Sequence, residues 1–485
     1  MQIQERYKDP VVNIALDTIE KKKQALIFVN TKRSAEKVAE DIAKKHKKPT
    51  PSLIELSDKI LRVIPKSTKQ CQRLAFCVRN GIAFHHAGLH SKQKDLVENA
   101  FRAGIIKIIG CTPTLAAGLD LPAFRAIIRD VKRYTQQGYT PIPVLEFLQM
   151  AGRAGRPNYD TSGEAIVTCN TEAEKEFVIE KYLNGFPEDI YSKLAVEPVL
   201  RTYLLSLISS RLIGSTESIF DFFSRTFWAF QYKDEYKIKS LIEKALKLLL
   251  GWEFLTTTEN GYRATSLGRR VAELYLDPLT AHNFINGLKR ANSISLKDYS
   301  WLQLVCNSLE MRPLIRVRQK EFNDFLEKSA TLDSHYLTLE PSMFEPEYND
   351  WLDSVKTSLM VLDWIDEKDE EWILETYNSR PGETRTKIDN ANWLLYSCHE
   401  IARILGMKDL LSKITKVRMR IRYGVKEELL PLIRFESIGR ARARKLFREG
   451  IKDVKGIKNA QLETLKRLIG EKVAISLKQQ VGKAL

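Results

Sequence analysis

At 485 residues, with 44% hydrophobic side chains and a formal charge of +16, the chain is too long for one core and too apolar for a disordered polymer; at about 100–200 residues per domain, three or four folded domains are expected. No apolar run approaches the ~18 residues that span a bilayer and the start MQIQERYKDP is not a signal peptide, so a soluble, cytoplasmic protein with no membrane partner is expected. The six cysteines form no C-x-x-C pair and do not group with the seven histidines, which argues for reduced core thiols rather than a zinc site, another metal centre or a disulfide framework.

Residues 1–195 alternate strands and helices. Short β-branched runs at 25–30, 81–86, 105–111, 126–131 and 164–169, with amphipathic stretches 32–46 and 91–103 between them, predict an α/β domain with a mostly parallel sheet covered by helices. Ligands sit in the loops at the carboxyl ends of such strands. The first run ends in Asn30-Thr31-Lys32-Arg33, small donors and bases at a strand-to-helix turn, where the free N–H groups of a helix start would bind a backbone phosphate. His86-Ala87-Gly88 and Thr112-Pro113-Thr114 are read likewise, with Gly88 and Gly118 allowing close approach of the main chain. The result would be a grip on a polynucleotide without regard to its sequence.

Two strand-like arms within 126–147 flank Gln136-Gln137-Gly138, a hairpin turn because Gly supplies a positive φ, and Tyr134 and Tyr139 flank its tip. An ordinary sheet edge with two tyrosines packed together is one account of it. In LEFLQMAGRAGRPNYD (145–160), Arg153 and Arg156 are three residues apart, each after a glycine and closed off by Pro157. That spacing predicts two guanidinium forks on one side of a helical turn, a geometry suited to a polyphosphate. A lone Gly-Arg pair is more often a solvated turn.

From 196 to 266 three helical stretches precede two Thr- and aromatic-rich arms around Glu259-Asn260-Gly261, a winged helix whose modest basic content (Arg263, Arg269, Arg270) favours a structural hinge over a DNA reader. Residues 267–405 read as all-helical with an acidic, tryptophan-rich middle: 331–380 hold 3 Lys and Arg against 13 Asp and Glu. On 383–405 the apolar positions Ile388, Ala391, Leu395, Cys398, Ala402 and Leu405 form one stripe, and Trp393 projects away from it with Thr386, Ser397 and Glu400. A tryptophan there needs a second partner, another domain or a base. The tail is basic, with 20 Lys and Arg against 7 Asp and Glu over 411–485, the footprint of a polyanion partner or of a Lys-rich thermophilic surface. It repeats Ile-Gly-x-x-x-Ala at Ile438-Gly439…Ala443 and Ile469-Gly470…Ala474, each leading into a helix, like a helix-hairpin-helix element, although the usual first glycine is Ser437 in one copy and Leu468 in the other. Arg440, Arg442, Arg444, Lys445 and Arg448 make the first copy the better DNA site.

TPTLAAGLDLPA (112–123) and QMAGRAGRP (149–157) resemble motifs V and VI of superfamily 2 helicases, in the form carried by Ski-like enzymes and most closely by the archaeal Holliday-junction-migration (Hjm) DNA repair helicases. ALIFVNTKRSAEKVAEDIA (25–43) is similar to motif IV and AFHHAGL (83–89) to motif IVa, and the domain order extends the resemblance over nearly the whole chain. No G-x-x-x-x-G-K-[ST] loop and no D-E-x-H strand is present, so the chain resembles such a helicase without its first, Walker-bearing motor domain.

The resemblance implies a multidomain protein: a RecA-like second motor domain with a β-hairpin (1–195), a winged helix (196–266), a helical ratchet domain (267–405) and a basic helix-hairpin-helix-like domain (406–485). It implies that Arg153 and Arg156 reach the γ-phosphate of ATP, held with Mg²⁺ by the absent domain, so that this chain alone holds neither and is inactive. Gln149, Gly118 and Asp120 would lie at the nucleotide. Asp120 follows Leu119 where the family usually has Val-Asn, which leaves it at the ribose or in coupling. The hairpin, including Tyr134, Gln136, Gln137, Gly138 and Tyr139, would be the wedge that parts a duplex, and Trp393 would stack on single-stranded DNA. The family's arginine seven residues earlier is Thr386 here, with Arg385 and Lys387 beside it. A monomeric ATP-dependent helicase moving 3′ to 5′ on forked DNA in repair and recombination is the implied function; a non-catalytic DNA-binding scaffold and a Ski-like RNA helicase are the rivals.

Overall fold

A computed structural model describes residues 3–64, 67–118, 121–135, 138–156 and 160–483. The chain divides into two compact units, Met1–Ile190 with Glu370–Arg385, and Tyr191–Asp369 with Thr386–Leu485.

In the first unit the five apolar runs are strands: β1 (Ala25–Phe28), β2 (Ile82–His85), β3 (Ile108–Cys111), β4 (Arg125–Ile128) and, after a hairpin of β5 (Lys132–Thr135) and β6 (Gly138–Pro141), β7 (Glu164–Val167). They form one parallel sheet in the order β2-β3-β1-β4-β7. β1 to β4 are buried at every residue, which is why they read as unbroken apolar runs instead of alternating ones. Helices Lys32–Lys45 and Ser91–Arg102 match the amphipathic stretches, and Thr31 caps the first by accepting from the Ser34 N–H at 3.0 Å. Two further helices, Pro51–Leu61 and Lys69–Arg79, start at the caps Thr50 and Thr68. Arg125, fully buried at the start of β4, reaches Asp17 at 2.6 Å and Glu164 at 2.5 Å, joining the first helix, Pro10–Glu20, to β7.

The hairpin pairs Lys132 with Pro141, and Tyr134 with Tyr139. Its base is pinned: the buried Tyr182 hydroxyl donates to the carbonyls of Val131 (3.1 Å) and Ile142 (2.9 Å), and the Tyr182 ring stacks on Phe147 at 4.6 Å.

In the second unit four helices, Glu197–Ser209, Thr216–Ser224, Phe227–Tyr232 and Glu235–Gly251, precede an antiparallel pair, β8 (Leu255–Thr258) and β9 (Gly261–Ala264), around Glu259-Asn260. Gly261 takes φ +138, and a Cβ there would lie 2.2 Å from the Gly214 carbonyl oxygen, so the turn accepts no side chain. Helices follow through 267–369, with Tyr336 and Trp351 edge to face at 4.9 Å in a buried aromatic cluster. The segment 370–385, which sequence assigns to this helical region, packs instead in the first unit. The tail is helical around one core in which Ile438, Ala443, Ile469 and Ala474 are all buried, so both copies of the repeat supply the same positions. Their turns differ: Ser437 carries the positive φ (+65) in the first copy and Gly470 (+89) in the second, while Gly439 is extended.

Candidate nucleic-acid groove and arginine pair

The turns after β1, β3 and β4 open together. A groove of about 680 Å³ is lined by Asn30, Thr31 and Lys32 from the first, Thr112 and Thr114 from the second, Asp130 from the third, Arg133 and Ile142 from the hairpin base, and Gln149. All three of the separately predicted phosphate-binding turns therefore reach one surface, the second of them through the exposed Ala87. Its polar side chains are hydroxyls and paired charges: Thr112 Oγ1 and Thr114 Oγ1 are 2.9 Å apart, and Arg133 is paired with Glu146 at 2.8 Å. Such groups position a backbone and carry no sequence code. Arg33 is exposed beside it, with no ion-pair partner among the described residues.

Several assignments change. Asn30 is half spent on structure, its N–H donating to Asp130 Oδ2 at 2.9 Å and its side-chain amide to the Lys132 carbonyl at 3.1 Å, which ties the end of β1 to the hairpin. Lys32 is paired with Glu383. His86 is fully buried, with Nε2 3.2 Å from Glu36 and Nδ1 accepting from the Gly88 N–H at 3.1 Å; burial lowers its pKa, and it cannot meet a phosphate. Gly88 is buried too: a Cβ there would lie 2.4 Å from Arg380 Cδ, so its missing side chain makes room for arginine, not for DNA. Gln149, assigned to the nucleotide, opens onto the groove.

Arg153 and Arg156 do not share a helical face. The helix Val144–Ala151 ends with Gly152 as its C-cap, Ala154 bridges to Ala123, and Gly155 takes φ +91. The glycines on either side of Arg153 break the helix that the spacing predicts. A Cβ on Gly163 would lie 2.3 Å from the Gly155 nitrogen, so the return strand passes close against this turn. Arg153 donates to the Ala116 carbonyl of motif V. Arg156, its side chain 18% exposed, forms a pair with Asp160 and donates to Gln24 Oε1 at 2.6 Å. Both arginines are half-buried, and neither points wholly inward. Gln24 and Ala123 precede β1 and β4, so the pair lies toward the amino ends of the strands and the groove at their carboxyl ends. Gly118 closes the short helix Thr114–Gly118. Asp120, Gln136 and Gln137 lie outside the described residues. Gly138 takes φ +94, as expected after a tight turn, and Tyr139 is 73% exposed.

In the second unit the expected stripe of the helix Pro381–Ile404 is buried from Ile388 to Ala402, and the opposite face is covered only toward its end, Thr386 being exposed. Ser397 and Glu400 are buried, and Glu400 pairs with Arg270 and Arg403 at 2.9 Å each. Trp393 is half-buried and makes no ring or cation contact among the described residues. Arg385, on the part of the helix that belongs to the first unit, is exposed. The basic cluster of the tail splits by helical phase. Arg444 binds Glu367 (2.5 Å) and Glu428 (2.7 Å), and Arg440 lies 5.3 Å over the Trp364 ring and donates to the Lys368 carbonyl, so these two serve internal packing. Arg442, Lys445 and Arg448, at i, i+3 and i+6, are exposed on the other side.

Asp130 and Arg133 line the groove, and Glu36 and Arg380 pack against His86 and Gly88, although none of the four was singled out in the sequence. Asp130 closes an apolar run and was findable there; Glu36 and Arg380 are 344 residues apart and carried no signal. Among the described residues no group of three His, Cys, Asp or Glu side chains could hold a metal ion, and no helix is long and apolar enough to cross a membrane.

The helicase conserved C-terminal domain matches residues 8–158, a helix-turn-helix domain matches 163–256, and domain 4 of the archaeal helicases matches 299–424. Over 97% of its length the chain is 37% identical to the ATP-dependent DNA helicase Hel308 of Pyrococcus abyssi, and over 98% it is 37% identical to that of Methanocella arvoryzae, covering 66% and 65% of those proteins. It is 35% identical to the Hel308 of Methanococcus vannielii, over 99% of the chain and 67% of that relative. The chain thus spans about two thirds of the length of the curated relatives it matches.

Proposed function

The chain belongs to the Hel308 family of archaeal superfamily 2 DNA helicases, and from that premise we propose that it supplies the second motor domain and the accessory domains of an ATP-dependent helicase that opens forked DNA in the 3′ to 5′ direction. The observation that carries this reading is the convergence of the motif IV and motif V turns, Asn30-Thr31-Lys32 and Thr112-Pro113-Thr114, on one groove, with the arginine pair toward the other end of the same strands. One strand of DNA would lie along that groove, held by Thr31, Thr112, Thr114, Gln149 and Arg33. Arg153 and Arg156 would meet a nucleotide bound by a Walker domain, where an arginine can contribute ~10³–10⁵ in rate. Both must first leave their present partners.

The hairpin would part the duplex, its pinned base transmitting force and Tyr139 stacking at the fork. Trp393 would stack on the separated strand, and Arg442, Lys445 and Arg448 would hold phosphates beyond it. We assign residues 1–195, 196–266, 267–405 and 406–485 to motor, winged-helix, ratchet and helix-hairpin-helix-like domains, with 370–385 belonging functionally to the motor. ATP and Mg²⁺ would be bound chiefly by the Walker domain, with Arg153 and Arg156 as this chain's contribution.

The test is fork unwinding by the chain joined to a Walker domain, compared with the chain alone. The joined protein should unwind and the chain alone should bind DNA without ATP turnover, which is the behaviour of a scaffold. Tighter binding to single-stranded RNA than to the matching DNA at equal salt would favour an RNA substrate instead.

A further inference from the structure

The hairpin stands outside the main sheet: among the described residues β5 and β6 pair only with each other. Two strands alone are marginal in water, so such a hairpin takes its direction from whatever holds its base. The base is held by residues 177–188, none of which lines the groove.

Tyr182 is buried against that base. Its hydroxyl has one proton for two carbonyls, Val131 at 3.1 Å before β5 and Ile142 at 2.9 Å after β6, one on each arm. The Val131 carbonyl also accepts the Ile142 N–H at 3.0 Å, so the arms are closed by each other and by the hydroxyl. A π turn delivers this side chain: Ile179–Leu183 is wound as a π-helix, with the Asn184 N–H donating to the Ile179 carbonyl at 3.0 Å. Turns of this kind are rare and gather at functional sites.

Beyond the turn the chain doubles back at Gly185, where a Cβ would lie 2.0 Å from the Lys181 carbonyl oxygen. Glu188 then caps the helix Val144–Ala151, accepting from the Val144 N–H at 2.7 Å and the Leu145 N–H at 3.3 Å. The N-cap residue of that helix is Pro143, which has no side-chain acceptor of its own. One short segment thus grips both the hairpin base and the helix that carries Gln149. Aromatic contacts reinforce the grip: the Tyr182 ring stacks on Phe147 of the helix, and Phe177 meets Tyr182 edge to face at 6.0 Å with Lys132 Nζ of the hairpin 5.5 Å over its ring. All these residues belong to the first unit.

A base pair reclosing at a fork pushes back on the hairpin, and a wedge opens that pair only if its footing yields less than the pair does. A buried hydroxyl shared by both arms resists their splaying, because separating them leaves a buried carbonyl without a donor. We infer that Tyr182, with Glu188 behind it, is a positioning residue for strand separation. It fixes the footing of the hairpin on the helix Val144–Ala151 and takes no part in nucleotide chemistry or in the grip on the single strand. This role rests on the helicase reading above.

The experiment uses Tyr182→Phe, which keeps the ring and removes one hydroxyl, and Glu188→Ala. On the chain as given, hydrogen exchange at the Ile142 amide should quicken about fivefold in Tyr182→Phe, the factor that one hydrogen bond commonly carries, with β1 to β4 unchanged. With a Walker domain supplied, ATP turnover and movement along single-stranded DNA should match wild type in both variants. Base pairs opened per ATP should fall about fivefold on a G·C-rich fork and less on an A·T-rich one, because a footing that gives way loses most against the strongest stacks. Unchanged exchange at Ile142 overturns the brace, and so does faster exchange throughout β1 to β4, which would mark a general element of the fold. Turnover falling in step with unwinding, unwinding as in wild type, or an equal loss on both forks overturns the positioning role. Absence of unwinding by the wild-type joined protein overturns the helicase reading and the wedge with it, while the exchange measurement reports separately on the hydroxyl.

Discussion

Asp160 accepts both arms of the Arg156 guanidinium, Oδ2 from Nε at 2.6 Å and Oδ1 from Nη2 at 3.1 Å, on a carboxylate whose side chain is 1% exposed. In the role proposed for it, Arg156 waits on a carboxylate of its own domain, and a phosphate oxyanion would take over the same fork. With a Walker domain supplied, Arg153→Ala and Arg156→Ala should each lower the kcat for ATP by about 10³ while leaving single-strand affinity unchanged. Steady-state turnover and fluorescence anisotropy check the two halves of that statement. Turnover close to wild type in both variants would remove the arginines from the chemistry.

Acid sensitivity follows from two carboxylates. Hydrogen bonds from Arg156 outweigh burial and hold Asp160 at about 2; at Glu36 burial opposes ionisation, but hydrogen bonds from His86 and Gln70 and the charge of Arg380 hold it at about 2 as well. Both pKa values are depressed by folding, so each group's stabilisation is complete above the unfolded carboxylate range, near pH 4–4.5, and is lost as pH falls toward 2. Each contributes on the order of 2 kcal/mol. Asp160→Asn and Glu36→Gln should lower Tm at pH 7 and flatten its decline between pH 5 and pH 2. A decline as steep as in wild type would mean that other carboxylates govern the acid limb.

The two faces of the helix Arg440–Arg448 should separate in salt titrations. Removing one phosphate-binding side chain changes the slope of log K against log salt by about 0.9 on duplex DNA. Replacing Arg442, Lys445 and Arg448 with Ala should therefore reduce that slope by roughly 2–3 and leave Tm unchanged. Arg444→Ala should do the reverse, leaving Glu367 without its buried partner and lowering Tm. An unchanged slope in the triple variant would take this helix off the DNA.

Trp393→Ala should spare ATP turnover and reduce unwinding, with a loss of about 1–3 kcal/mol in single-strand binding if one base stacks there. Tryptophan fluorescence quenching on strand addition, present in wild type and diminished in the variant, checks the stacking itself. Normal unwinding by the variant would reduce Trp393 to packing.

Where the sequence was legible, the cue and the cause were the same thing. β1 to β4 read as strands because full burial demands apolar runs, and the turns at Asn30 and Thr112 were found because each follows such a run directly. His86 misled because a histidine before a glycine at a strand end looks alike whether it faces a ligand or a buried partner, and the deciding residue, Glu36, is 50 positions away. The arginine pair misled in conformation: a spacing of three suggests one helical face, yet the helix stops at Gly152 and Gly155 turns the chain between the two side chains. The split of Arg440 and Arg444 from Arg442 and Lys445 follows helical phase, but which side turns inward depends on Glu367, 77 residues before Arg444.

ATP hydrolysis in the presence of single-stranded DNA, measured for the chain alone, for the chain joined to a Walker domain and for the joined Arg153→Ala variant, addresses the central claim most directly. The account predicts DNA binding by all three and turnover only by the joined wild-type protein. Hydrolysis by the chain alone, or undiminished hydrolysis by the Arg153→Ala variant, would contradict it.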